Sequence, residues 1–158
     1  MFKSAEIEVK PVSEISIQAF YTDKFQLFDI IEVILSQLSW CESLIMTSFS
    51  ISEEFTRKIF RLRERYRLNH VTLLLDTKAA AKVQKLNLFL KNTFNEVYLT
   101  NNHGKVILFD SDPLVSICTS QNQTRGNRKE SHLICTDPGV YEKFNATILE
   151  MKKTAVKL

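Results

Sequence analysis

His103-Gly104-Lys105-Val106-Ile107-Leu108-Phe109-Asp110, with Thr119-Ser120-Gln121-Asn122 and Gly126-Asn127-Arg128-Lys129-Glu130 behind it, is the part of the chain whose reading decides the rest. His103 and Lys105 stand two apart at the start of a predicted strand, so their side chains share a face. Gly104 between them has no side chain and permits close approach of a ligand. Val106 and Leu108 alternate with Ile107 and Phe109, which covers both faces of a central strand. The next predicted strand runs into Ser120 and Asn122, again two apart. A hairpin through residues 110–113 would bring the two pairs to one end of a sheet, although a turn alone does not fix the register.

Outward from this stretch, the pattern predicts alternating elements. Residues 5–9 and 15–20 alternate polar and apolar, as half-buried strands do. Asp23 is placed to cap a helix over 24–38, with Leu27, Ile30, Ile31, Ile34, Leu35 and Leu38 at helical spacing. Residues 43–48 read as a buried strand behind Trp40 and Cys41, which read as packing residues. Ser52, with Glu53 and Glu54 behind it, opens a helix to 67. A strand at 70–75 follows, then a helix from the cap Asp76 to 92. Short strands are expected at 95–100, 104–109, 113–119 and 131–135, and a last helix starts at Pro138 and runs to 152. The order predicts one domain over residues 1–158: an α/β sandwich with a mixed, mostly parallel sheet flanked by helices.

Composition agrees with a globular chain. Of 158 residues, 44% are hydrophobic and 25% charged, with only three Gly and three Pro, so a core forms and long linkers do not. The net charge of +3 is too small to name a partner by itself. Three cysteines without close spacing read as reduced, buried thiols and give no zinc site. No apolar run reaches the length of a membrane span, and the amino terminus has no leader pattern, so the expected location is cytoplasmic.

The residue types at the central stretch suit phosphate chemistry. Imidazole is a nucleophile and an acid/base near neutral pH. The Lys105 ammonium, the Ser120 hydroxyl and the Asn122 amide supply donors for phosphate oxygens. Glu130 can orient an imidazole by accepting its Nδ1 proton. Arg125, Asn127, Arg128 and Lys129 lie beside the motif and would favour a polyanion. A second basic group, Arg57, Arg61 and Arg65 with Lys58, lies opposite Phe55, Ile59, Leu62 and Tyr66 and reads as a solvated helix face. His70 and His132 read as structural, and the eleven phenylalanines fall at core spacings.

This pattern resembles the phospholipase D superfamily, whose signature is HxKxxxxD followed closely by GSxN. His103, Lys105, Asp110, Ser120 and Asn122 match it, and Asn127 and Glu130 look like the polar and acidic positions of the family's small bacterial endonucleases. Thr119 stands in place of the usual Gly, and Arg128 in place of a usual Asn. The resemblance implies a metal-independent phosphodiesterase without a cofactor, acting on DNA or RNA. His103 would attack phosphorus and form a phosphohistidine, with Lys105, Ser120 and Asn122 on the phosphate, Glu130 orienting the ring and Asp110 structural. Because the chain carries one motif, a homodimer would have to supply the second histidine. The alternatives are a nucleic-acid-binding module of the same fold that does not cut and, less favoured for want of an apolar entrance, a phospholipid phosphodiesterase.

Overall fold

The computed structural model describes residues 2–124 and 128–158. Their elements run α1 (Phe2–Glu8), β1 (Ile17–Thr22), α2 (Leu27–Gln37), β2 (Cys41–Ser48), α3 (Glu53–Arg65), β3 (His70–Asp76), α4 (Ala80–Thr93), β4 (Glu96–Thr100), β5 (Val106–Ser111), β6 (Val115–Thr119), β7 (Glu130–Cys135), α5 (Pro138–Thr154) and β8 (Val156–Lys157). The strands form one eight-stranded sheet in the order β1-β7-β6-β5-β2-β3-β4-β8.

Local chemistry sets the helix starts. The Ser52 hydroxyl accepts the Phe55 amide at 3.1 Å and opens α3. Asp76 accepts the Lys78 amide at 2.8 Å and opens a short 3-10 turn, Thr77–Ala79, that leads into α4. Asp137 accepts the Val140 amide at 3.0 Å ahead of Pro138, the first residue of α5. On one sheet face α1 to α4 bury a continuous apolar layer that includes Ile30, Ile31, Ile34, Ile59, Leu73 and Ile107. Each such side chain contributes roughly 1.5–3 kcal/mol relative to its exposed state. On the other face α5 seats Tyr141 and Ile148 against Leu74, Tyr98 and Leu108.

Four sequence expectations are corrected. Residues 5–8 end α1 and Val9 follows it, where the alternation predicts a strand: Ala5 and Val9, four apart, are buried, whereas Ile7 between them is 69% exposed. α2 starts at Leu27 behind Gln26, whose amide donates to Asp29 at 2.8 Å, so Asp23 does not cap it. The sheet is mixed but mostly antiparallel, because only β2–β3 and β3–β4 pair in parallel. Helical crossovers join sheet neighbours only along β2, β3 and β4, and the short link from β5 to β6, with its cis Asp112–Pro113 peptide, joins antiparallel neighbours. Trp40, expected to pack, is 52% exposed just ahead of β2.

The topology also sets the place of the central motif. β4 lies three strand positions from β5, so residues 101–105 must cross the carboxyl ends of β3 and β2, a span of roughly 14 Å. His103, Gly104 and Lys105 therefore lie over the sheet edge and precede β5 rather than starting it.

Candidate active site

The carboxyl edge of the sheet carries buried polar side chains: Thr47, Ser48, Asp76, Asn102, Gln121 and Gln123. Buried polar groups need partners, and here those partners hold the crossing segment. The Asn102 amide group donates to the carbonyls of Ser48 and Gly104 at 3.3 and 3.1 Å, and its oxygen accepts the Gly104 amide at 3.0 Å. Asp76 accepts the Asn102 backbone amide at 3.1 Å. Thr47 donates to the Gly104 carbonyl and accepts from the Val106 amide, both at 3.0 Å. A Cβ on Gly104 would stand 3.3 Å from the Asn102 side-chain oxygen, which makes this a close approach that suits glycine.

On this platform His103 is exposed. Lys105 Nζ lies 3.3 Å from His103 Nδ1 and donates to the His103 carbonyl at 2.8 Å. The Phe49 ring, half-buried directly after β2, lies 5.1 Å from the imidazole centroid with the planes tilted by 54°.

The second motif meets the first at the same edge. β5 and β6 pair with Val106 opposite Cys118, and the Thr119 amide donates to the Lys105 carbonyl at 3.0 Å. The Ser120 hydroxyl donates to Glu130 and accepts the Ser131 amide at 3.0 Å. The Ser48 hydroxyl donates to the Ser50 carbonyl at 2.7 Å and accepts the Gln123 amide at 3.1 Å, with the Asn122 side-chain oxygen 3.5 Å away. Ser48 thus joins the Asn122 loop to the His103 crossing. Glu130 is bonded to Ser120, while the Nδ1 of His103 faces Lys105.

Asp110 lies elsewhere, near the far end of β5 and roughly 13 Å along the strand from Val106. Arg128 and Lys129 are exposed just ahead of Glu130. Arg125 and Asn127 lie outside the described residues. The basic face of α3 is largely paired: Arg57 with Glu53, Lys58 with Glu54 and Arg65 with Glu32. His132 is buried, with its Nδ1 2.8 Å from the Thr119 hydroxyl. Thr119 also accepts the Gln121 amide, so its side chain turns toward His132. Burial pushes the imidazole of His132 down to about 4, against a smaller upward pull from Glu130. His70 is half-exposed near Glu96 at 3.6 Å. Cys41 and Cys135 are buried and Cys118 half-buried, all as free thiols. Among the described residues no group of three or more His, Cys, Asp or Glu side chains is placed to hold a metal ion. None of the described helices is long and apolar enough to cross a membrane.

Sequence reasoning missed Ser48, Asn102 and Phe49. The available signal was position: polar residues at the carboxyl ends of the strands next to the crossover, where ligands of α/β sheets gather. Phe49 was hidden among phenylalanines that do belong to the core.

No protein-family model matches the sequence, and no curated protein matches it. Solved structures do. The phospholipase D family member Nuc from Salmonella typhimurium superposes with a TM-score of 0.68 over 90% of this chain and 97% of its own, at 18% identity. NucT from Helicobacter pylori does so with a TM-score of 0.68, over 90% and 98%, at 20% identity. TrmBL2, an archaeal chromatin protein described as having a novel mode of DNA binding, gives 0.64 over 98% and 58%, at 14% identity. At these identities the likeness is one of fold.

Proposed function

We propose that this chain, which has the phospholipase D fold, is a metal-independent phosphodiesterase that cleaves DNA or RNA in a site completed by a second copy of itself. One juxtaposition carries the proposal: an exposed imidazole with an ammonium 3.3 Å from its Nδ1, on the sheet edge that also presents Ser120, Asn122 and Glu130. These are the groups that displacement at phosphorus requires, namely a nucleophile and donors for the equatorial oxygens.

The roles are those the resemblance implies, read onto this geometry. An incoming phosphate attracts the Lys105 ammonium, which leaves Nδ1 for the oxygens. Asn122 stands at the same edge beside Ser48, and its side-chain amide is a donor that a phosphate oxygen can accept. His103 Nε2 then attacks phosphorus, and the leaving alkoxide takes a proton from the partner subunit's His103. That same ring next removes a proton from water, the hydroxide attacks the phosphohistidine, and His103 is released. The resemblance gives Glu130 the part of orienting the ring, which requires it to exchange its bond to Ser120 for the His103 Nδ1 proton. Support for the second copy comes from the motif's single occurrence and from an uncovered apolar sheet face. Ile17, Tyr21 and Leu133 are 62%, 74% and 41% exposed there, and the face continues to Ser131 and Ser120.

The test is cleavage of oligonucleotides and of bis(p-nitrophenyl) phosphate in EDTA. His103→Asn is expected to lose on the order of 10³-fold or more in rate with its mass in solution unchanged. Label from substrate should be trapped on histidine in the parent. Activity that requires a divalent ion, or that survives His103→Asn, overturns the assignment. A second reading, binding without cleavage, is favoured by the position of Nδ1 against Lys105 rather than Glu130. It expects salt-dependent binding, no turnover and little effect of His103→Asn on affinity.

A further inference from the structure

α4 breaks a rule that α3 keeps. α3 carries Glu53 and Glu54 in its first turn and Arg63 and Arg65 in its last, which matches the helix dipole. The 3-10 turn and α4 have no acid in their first turns. Lys78 and Lys82 stand in those first turns instead, where a cation opposes the helix dipole, and Lys85 lies about one turn further on. Spacings of four and three put the three lysines along one side of the helix. All three are exposed, and among the described residues none is in an ion pair, whereas Arg57, Lys58 and Arg65 of α3 all are. Three exposed cations in a row, none with an acidic partner among the described residues, make a surface suited to an anionic partner.

The row begins at the candidate site. One oxygen of Asp76 accepts the Lys78 amide at 2.8 Å, and the other accepts the amide of Asn102, the neighbour of His103. Lys82 Nζ lies 3.5 Å from the Ser50 hydroxyl, and Ser50 follows the Phe49 that touches the His103 ring. In the sheet order β5 and β2 lie between β3, which leads into this row, and β7, which begins behind Arg128 and Lys129. Positive charge therefore flanks His103 on both sides.

We infer that Lys78, Lys82 and Lys85 form a track for the phosphate backbone of a nucleic acid strand whose scissile phosphate sits at His103. The track rests on the nuclease reading for the chemistry at its end, but its binding can be measured without cleavage. Seven helical residues extend about 10 Å, enough for on the order of three phosphates. No base edge is contacted by such a row, so it gives affinity and direction without sequence preference.

The experiment compares the parent with K78Q/K82Q/K85Q and K78R/K82R/K85R. It measures binding of a labelled single-stranded oligonucleotide across a salt series, KM and kcat on that oligonucleotide, and hydrolysis of bis(p-nitrophenyl) phosphate. For the glutamine variant, the slope of log affinity against log salt should fall by about 2, at ~0.7 for each phosphate no longer neutralised. Its KM should rise on the order of tenfold. Its kcat and its rate on the small ester should stay at the parent's values, and the arginine variant should restore the slope. Unchanged oligonucleotide binding in the glutamine variant of an active parent overturns the track and leaves the phosphodiesterase standing. A parent that hydrolyses the small ester and binds no oligonucleotide does the same. Lysine-dependent binding by a parent that cuts nothing keeps the track and overturns the phosphodiesterase.

Discussion

His132 sits on β7 between Phe20 of β1 and Thr119 of β6, with its ring stacked 6.3 Å from Phe25. Among the described residues its buried Nε2 has no hydrogen-bond partner. A neutral ring tolerates this place and a charged one does not, which is why the group is held down to about 4. In the unfolded chain the same ring takes its proton near 6.5. Between those values the unfolded state binds more protons, so this contribution to stability is complete above about pH 6.5 and declines as pH falls toward 4. The difference is at most roughly 3 kcal/mol. Urea unfolding should give a midpoint that drops between pH 7 and pH 4.5, and His132→Gln should flatten that drop. An equal drop in the variant would place the sensitivity elsewhere. The residue scale is also where the sequence was most informative, because residue types at fixed spacing carry chemistry. His103, Lys105, Ser120, Asn122 and Glu130 were legible in this way. The bond from Glu130 to Ser120 and the approach of Phe49 to the ring depend on side-chain directions that spacing does not encode.

At the scale of elements, α3 ends in a conformation its sequence does not favour. Arg67, directly after the helix cap Tyr66, has φ of 51°, and the Leu68 amide turns back to the Arg63 carbonyl at 3.0 Å. This left-handed closing residue is usually glycine, since a side chain there costs roughly 1–2 kcal/mol. Arg67→Gly should therefore raise stability, by about 0.5–1 kcal/mol after the entropy glycine loses on folding. Chemical denaturation checks it, and a less stable variant would mean that the Arg67 side chain contributes more than its backbone strain. The same scale explains which elements were legible. Long helices with strong apolar spacing, such as α2 and α3, stand close to the expected bounds. α1 was misread because Ala5, Ile7 and Val9 satisfy the strand period as well as the helix period, and only packing against α2 decides between them. The two-residue β8 has no pattern at all. It is held by its pairing with β4 and by Lys157 on Glu96 at 2.7 Å, a carboxylate that also receives Lys152 at 2.6 Å.

At the scale of the whole molecule, the parallel core β2-β3-β4 comes from helical crossovers, the run β5-β6-β7 from direct returns, and β1 joins β7 from the other end of the sequence. The residue order alone led to a mostly parallel expectation because it counted the crossovers and not the returns. The antiparallel half is also where one face lacks a helix. α5 lies over β4, β5 and part of β6, and beyond it Ile17, Ala19, Tyr21 and Leu133 stand side by side across β1 and β7. An apolar sheet face next to the proposed site, in a chain with one copy of the motif, is where the proposed second copy would seat. Leu133→Glu places a charge in that face at a position already 41% exposed, so the monomer should keep its fold while the dimer separates and cleavage is lost. Mixing gives the stricter measure. If each working site uses both rings, equal amounts of parent and His103→Asn chains, allowed to exchange, should leave about half of the activity per parent chain, since only parent–parent pairs work. Full activity per parent chain in that mixture would mean that each subunit acts alone, and the two-histidine mechanism would fall even if the fold and the nucleic-acid track remained.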